Sequence, residues 1–195
     1  MKRELGLTEE TFLIANIGQI CLRKGQDVAA TAIARLVTQF PDLHLLFVGE
    51  RHSQKSESIE YEQSLREPFL QAGIEDHLHF TGFRMEINRI LNEIDLLVHT
   101  AHQEPLGRVL LESAASGCPI VATTAGGTRE ILGHNLSGIL LPPGDVDLLE
   151  YTLAELIPDA YRQTQLGQEA LHQMEQKFSI SDSAAGLRAI WERLL

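Results

Sequence analysis

The stretch His99–Thr128, HTAHQEPLGRVLLESAASGCPIVATTAGGT, decides the fold. It leaves the end of an apolar run, passes a carboxylate at Glu104 and enters a helix at glycine. Gly107 to Ser116 is predicted helical, with Gly117 as its left-handed stop and Pro119 preventing resumption. Pro119 to Thr123 then reads as a strand, and Gly126-Gly127 turns the chain into a short helix over Thr128 to Leu132. A helix returning directly to a second buried strand is a crossover, and crossovers make parallel sheets.

Upstream the same grammar repeats. Thr11 to Gly18 (TFLIANIG) is an apolar run closed by glycine, which suits a strand buried on both faces. Val28, Ala29, Ala32, Ile33, Leu36 and Val37 recur at helical spacing, and Pro41 ends that helix. Leu43 to Val48 is a second strand. The polar segment ERHSQKSESIEYEQS reads as a solvated loop leading into a helix from about Ile59 to about Ala72. His77 to Phe80 is a short third strand, Ile87, Ile90, Leu91 and Ile94 mark a helix, and Asp95 to Val98 is a fourth strand. Downstream, Gly138 to Leu141 is a sixth. Past Pro142-Pro143-Gly144-Asp145 the chain turns helical, with Val146, Leu149, Leu153, Leu156 and Ile157 on one face and two further stretches ending in IWERLL.

The alternation predicts an α/β, three-layer Rossmann-like domain: a six-stranded parallel sheet covered on both faces, with C-terminal helices. With 195 residues and 44% hydrophobic content, the whole chain is expected to be one domain, residues 145–195 forming its helical C-terminal extension. A formal net charge of -11 excludes wrapping nucleic acid or sticking non-specifically to anionic lipid. No apolar run approaches the roughly 20 residues that span a bilayer, and MKRELGLTEET lacks a signal-peptide core, so a cytoplasmic location is expected. Cys21 and Cys118 have neither CxxC nor zinc-ligand spacing and read as buried or half-buried thiols. The sequon Asn135-Leu136-Ser137 carries no weight without secretion.

In open parallel sheets, ligands bind beyond the carboxyl ends of the strands. Gly18 and Arg23-Lys24-Gly25 follow the first strand, Thr81-Gly82-Phe83-Arg84 the third, Glu104 and Gly107 the fourth, and Gly126-Gly127 the fifth. The basic residues in such places are Arg23, Lys24, Arg84, Arg108 and Arg129. A helix start at Gly107-Arg108 offers unpaired N–H groups and partial positive charge, a seat for a diphosphate. Two carboxylates spaced along one ligand suit vicinal hydroxyls, Glu112 at the phosphate end and Glu104 further along. That combination reads as a site for a sugar-diphosphate-nucleoside. His99 and His102 lack a third ligand and read as polar loop residues rather than a metal site. No Ser/His/Asp or Cys/His set, GxGxxG turn or Walker lysine-serine is present.

As a set, these residues resemble the C-terminal domain of the family 4 (group 1) retaining glycosyltransferases of GT-B fold. The resemblance rests on Lys24-Gly25, Leu46-Phe47-Val48-Gly49, Phe80-Thr81-Gly82, Glu104-Pro105-Leu106-Gly107 with Glu112, Gly117-Cys118-Pro119-Ile120-Val121-Ala122 and Gly126-Gly127-Thr128-Arg129-Glu130. It covers nearly the whole chain. The resemblance implies that Glu104 and Glu112 are the glutamates of the E-x7-E motif, the first near the donor sugar and the second on the ribose. It implies catalytic roles for Glu104 and Lys24. It implies donor binding by Gly18, Arg23, Lys24, Gly82, Phe83, Arg84, Leu106, Gly107, Arg108 and Glu112, with the base near Gly82-Phe83-Arg84.

The donor so implied is a UDP-, GDP- or ADP-sugar, with no cofactor and no metal, the helix dipole, Lys24 and Arg108 standing in for a divalent ion. The activity implied is transfer of a sugar, of hexosyltransferase type, to a hydroxyl acceptor. The acceptor-binding N-terminal domain of that fold has no counterpart in these residues, so the isolated domain is expected to be inactive, and any peripheral membrane contact is expected to belong to the absent domain. Where the family carries glycine-arginine after the first strand, this chain has Gly18-Gln19, and Arg23 is the nearest replacement. A charge-assisted contact to a developing phosphate charge is worth about 2 to 4 kcal/mol. The alternatives are a stand-alone, non-catalytic nucleotide-sugar binding module and half of a GT-B-type nucleotide-sugar epimerase.

Overall fold

The computed structural model describes residues 1–133 and 136–194. Six strands, β1 (Phe12–Ile17), β2 (Leu43–Val48), β3 (Leu78–Phe80), β4 (Leu96–His99), β5 (Ile120–Thr123) and β6 (Ile139–Leu141), form one sheet. Their order is β3-β2-β1-β4-β5-β6, and every pair is parallel. The expected sheet is therefore the observed one, and its strand ends lie within about two residues of the expected positions, the margin within which strand ends are ordinarily assigned.

The strands are mostly apolar because the sheet is covered on both faces, and alternate residues serve two cores. Ile14, Leu45, Phe47, Val98 and Val121 face one way. They pack under α1 (Gln26–Leu36), whose Val28, Ala29, Ala32, Ile33 and Leu36 are buried, and under α7 (Val146–Leu156), which contributes Leu149, Leu153 and Leu156. Leu13, Ala15, Leu46, Val48, Leu97, Ile120 and Ala122 face the other way. Their cover is α4 (Ile87–Leu91), α5 (Arg108–Ala115) and α8 (Ala160–Lys177), through Ile90, Leu91, Leu110, Ala114 and Ala170. The C-terminal helices thus divide between the two faces.

Local chemistry sets the helix ends. The Asp145 carboxylate accepts the Leu148 N–H at 2.9 Å and Asp159 accepts that of Arg162 at 2.9 Å, so α7 and α8 each begin on an N-cap. Gly117 stops α5 with φ +66°, as its sequence position requires. One expectation is corrected. The helix drawn from Ile59 to Ala72 is two, α2 (Ser56–Ser64) and α3 (Glu67–Ala72). Pro68 lies in the first turn of α3, where a missing N–H is harmless; a continuous helix would have put it in the interior. Among the described residues the other α-helices are α6 (Thr128–Ile131) and α9 (Ile180–Leu194).

No helix among the described residues is long and apolar enough to cross a membrane. Cys118 is buried and Cys21 half-buried, both as free thiols. Asn135 of the sequon lies outside the described residues.

Candidate functional site

The strand order reverses direction between β1 and β4, the place where a doubly wound sheet opens a crevice. Only Ile14↔Leu96 and Ala15↔Leu97 are in register across this seam, whereas β1 and β2 share six registered pairs. Beyond the ladder, the buried Asn16 amide donates to Thr100 Oγ at 3.2 Å and bridges the parting strands.

Two loops flank the opening and are tied to each other through backbone. The loop after β1 tightens into a 3-10 turn, Leu22–Lys24, and reaches α1 through Gly25 at φ +59°. The Arg23 carbonyl accepts N–H bonds from His102 at 2.9 Å and Gln103 at 3.1 Å, both in the loop after β4. A Cβ at Gly25 would lie 2.3 Å from the Thr100 carbonyl oxygen, so only glycine permits this approach.

Glu104 sits where these loops meet and is 8% exposed. One carboxylate oxygen accepts the Gly107 N–H at 2.9 Å. The other accepts His99 Nε2 at 3.0 Å and the Lys24 ammonium. The His99 hydrogen bond, followed by the bond to and charge of Lys24, holds the Glu104 carboxyl well below the usual carboxylate range against the opposing effect of its burial. It is an ionised group on the floor of the opening.

Helix α5 begins immediately beside it. Gly107, at φ +80°, gives its N–H to Glu104, while the N–H groups of Arg108 and Val109 have no acceptor among the described residues. These are the unpaired donors at the positive end of a helix. One turn on, Glu112 reaches back to Arg108 Nη2 at 3.3 Å; the two side chains are 40% and 81% exposed.

Together these elements enclose a cleft of about 550 Å³. Gly18, Arg23 and Lys24 form one wall; Glu104, Leu106, Gly107, Arg108 and Glu112 form another; Phe83 and Arg84 reach in from the loop after β3. Of the residues that the resemblance assigns to donor binding or catalysis, Gly82 alone is absent from the lining. Its carbonyl instead accepts the Gly49 N–H at 2.8 Å, fastening the loop after β3 to the loop after β2. Arg129 is exposed and also outside the lining. Gly126-Gly127 does not line the cleft but braces it from behind: a Cβ at Gly126 would lie 1.8 Å from the Glu104 carbonyl oxygen.

Sequence reasoning missed Glu50, His52, Ile87 and Val109, all in the lining, where Gln19 also lies. Glu50 and His52 follow Gly49 at the carboxyl end of β2, so the strand-end rule could have found them; their polar neighbours disguised them as solvated loop. Gln19 Oε1 lies 3.5 Å from Arg23 Nη2, a long, exposed contact, and both residues line the cleft. Among the described residues no three His, Cys, Asp or Glu side chains converge as metal ligands. His99 points to Glu104, while His102 packs by the Cα atoms of Gly25 and Gly144.

A cleft at the switch point of this sheet, with an open helix start, cations and two carboxylates, is the build of one half of a GT-B fold. Residues 1–173 match the model of the glycosyl transferases group 1, and the chain belongs to that family. It is 31% identical over 188 residues to the GDP-mannose-dependent monoacylated alpha-(1-6)-phosphatidylinositol monomannoside mannosyltransferase of Corynebacterium glutamicum, covering 91% of this chain and 46% of that protein. HepE of Anabaena, solved with UDP and glucose, superposes with a TM-score of 0.87 at 26% identity over 98% of this chain and 50% of its own. The C-terminal domain of LpcC, a group 1 family protein from Francisella tularensis, gives 0.79 at 26% identity over 87% of both chains. The chain spans about half the length of the curated relatives it matches.

Proposed function

We propose that this chain is the nucleotide-sugar donor domain of a retaining glycosyltransferase of hexosyltransferase type, acting in the cytoplasm. In the whole enzyme it would work with an N-terminal domain that binds a hydroxyl acceptor and closes the cleft. The observation that carries this reading is the start of α5: two unpaired N–H groups and the helix dipole opening into a cleft that also holds Arg23, Lys24 and Arg108. A donor diphosphate seated there meets fixed donors without reorganisation. As the bond to the sugar breaks, charge grows on the leaving phosphate, and the helix start and cations stabilise it without a metal ion.

Glu112, half-exposed one turn into the helix, is suited to accept both ribose hydroxyls, which requires it to leave Arg108. Arg108 is then free for phosphate. Phe83 offers an exposed ring and Arg84 a cation where the base would lie. HepE, similar at 25 to 26% identity, has been solved with UDP and with UDP-glucose, which supports a nucleoside diphosphate here. The relatives' names differ in nucleotide and acceptor, so the donor set under test is UDP-, GDP- and ADP-sugars.

Gln19, in place of an arginine, speaks for a non-catalytic nucleotide-sugar module. Against it, Arg23 lines the same wall and supplies a cation there. Calorimetry with UDP, GDP and ADP tests the donor reading: one should bind, and Glu112→Ala should weaken it about tenfold. Absence of binding by all three at millimolar concentration would sink it. Sugar transfer on addition of an acceptor domain separates the enzyme from the module.

A further inference from the structure

Among the described residues, helix α2 buries Tyr61 alone. The Tyr61 hydroxyl crosses to the first turn of α1, where it lies 2.8 Å from Asp27 Oδ1 and 3.3 Å from Gln26 Oε1. Burial and the charge of Asp27 raise its pKa, so the hydroxyl keeps its hydrogen and donates. Gln26 opens α1, is 1% exposed, and turns its amide to the loop after β1. Nε2 donates to the Gln19 carbonyl at 2.8 Å, and Oε1 faces the Cys21 N–H at 3.5 Å. These contacts fall on either side of Ile20, whose own N–H donates to the Glu50 carbonyl at 3.1 Å. A buried amide without partners is costly, so the loop is held to the path that satisfies Gln26. Immediately afterwards the same loop tightens into the 3-10 turn that brings Arg23 and Lys24 to the cleft. Gln26 and Tyr61 themselves lie outside the cleft lining.

We propose that Gln26 and Tyr61 are positioning residues for the donor diphosphate. Tyr61, reaching over from α2, fixes the Gln26 amide, and Gln26 fixes the stretch from Gln19 to Cys21 on which the presentation of Arg23 and Lys24 depends. The functional role rests on the donor reading above; the anchoring of the loop does not.

The test compares the chain with its Gln26→Met and Tyr61→Phe variants. The first keeps the length of the side chain and removes its hydrogen bonds; the second removes one hydroxyl. Calorimetry with UDP, GDP and ADP and with their nucleosides reads the ligand side. Gln26→Met should weaken the bound diphosphate about tenfold and Tyr61→Phe several-fold, with the nucleoside unaffected, and the Gln26→Met effect should shrink in an Arg23→Ala, Lys24→Ala background. Equal losses for diphosphate and nucleoside, or full additivity with the loop cations, overturn the proposal. Anchoring is read without ligand by thiol labelling, because Cys21 lies on the anchored stretch and Cys118 is buried in the core. Both variants should label Cys21 several-fold faster than the parent while Cys118 stays protected. An unchanged Cys21 rate overturns the anchoring, and joint loss of Cys118 protection overturns it by showing that the pair holds the fold as a whole. If the chain binds none of the three nucleotides, the donor reading fails and the positioning role with it, while the labelling still decides the anchoring. Should Gln26→Met not fold, Tyr61→Phe carries the same readouts.

Discussion

The α-carbon of Gly126 faces the carbonyl oxygen of Glu104 at a distance that leaves no room for a side chain: a Cβ would lie 1.8 Å from it. Gly126 also has φ +52°, a conformation that resists any residue with a Cβ. Gly126→Ala should therefore push the Glu104 loop forward and destabilise the chain by about 2 to 4 kcal/mol, measured by urea denaturation. Gly186→Ala, on α9 with nothing within 4 Å, is the control and should leave the midpoint unchanged or higher.

The Arg108–Glu112 pair is exposed, and such pairs contribute about 0.3 to 0.5 kcal/mol to a helix. Arg108→Ala should alter stability by no more than that while weakening the bound nucleoside diphosphate several-fold. A stability loss as large as the binding loss would show that Arg108 matters to the fold instead.

Three histidines meet at the sheet edge. His44 Nδ1 lies 2.9 Å from His79 Nε2, and His44 stacks on His77 with ring centres 4.5 Å apart. Burial, then the neighbouring His77 and His79, hold His44 down to about 4 from its ordinary 6.5, against a weaker opposing pull from the Asp76 backbone and the Asp42 carboxylate. The folded chain thus resists a proton that the unfolded chain accepts. Stability from this group is full above pH 6.5, falls as pH drops from 6.5 to 4, and is flat below. Allowing for solvent screening of a half-exposed ring, the fall is about 1 to 2 kcal/mol. Chemical denaturation across that range should show it, and His44→Asn should flatten the slope. Glu104 acts the same way further down: its depressed carboxyl contributes stability above the ordinary carboxylate range and loses it as pH falls through the folded value.

Burial pushes the Cys118 thiol up to about 11, whereas Cys21 is half-buried in the loop after β1. A thiol reagent at neutral pH should modify Cys21 in the native chain and Cys118 only on unfolding. Mass spectrometry of the labelled chain distinguishes the two; equal native labelling would mean that the β5 end of the core opens readily.

The sheet was legible because strands covered on both faces are mostly apolar along their length, and TFLIANI or LHLLFV reads most simply as such a strand. The α2–α3 break was less so, since the segment is polar and its one decisive residue, Pro68, is tolerated equally at a helix start. Most of the cleft followed from the rule that ligands gather beyond strand ends. What the sequence hid was partnership: Lys24 and Glu104 are 80 positions apart, and no periodicity links them. His99 was visible as a letter and read as a bystander, because its partner is set by how the loop after β4 folds back. Glu50 and His52 were lost in a charged run that resembles solvent-facing loop.

The two registered pairs between β1 and β4 have a consequence for folding. Strands β1 to β3 lie on one side of that seam, and strands β4 to β6 on the other. Lys24 comes from the first half of the chain and Glu104 from the second. Both line the cleft, so no fragment carries it whole: the pocket exists only after the two halves of the chain have docked. Occupancy then stabilises the docked state over each half alone, and the join with the fewest registered pairs is the one that a bound molecule reinforces.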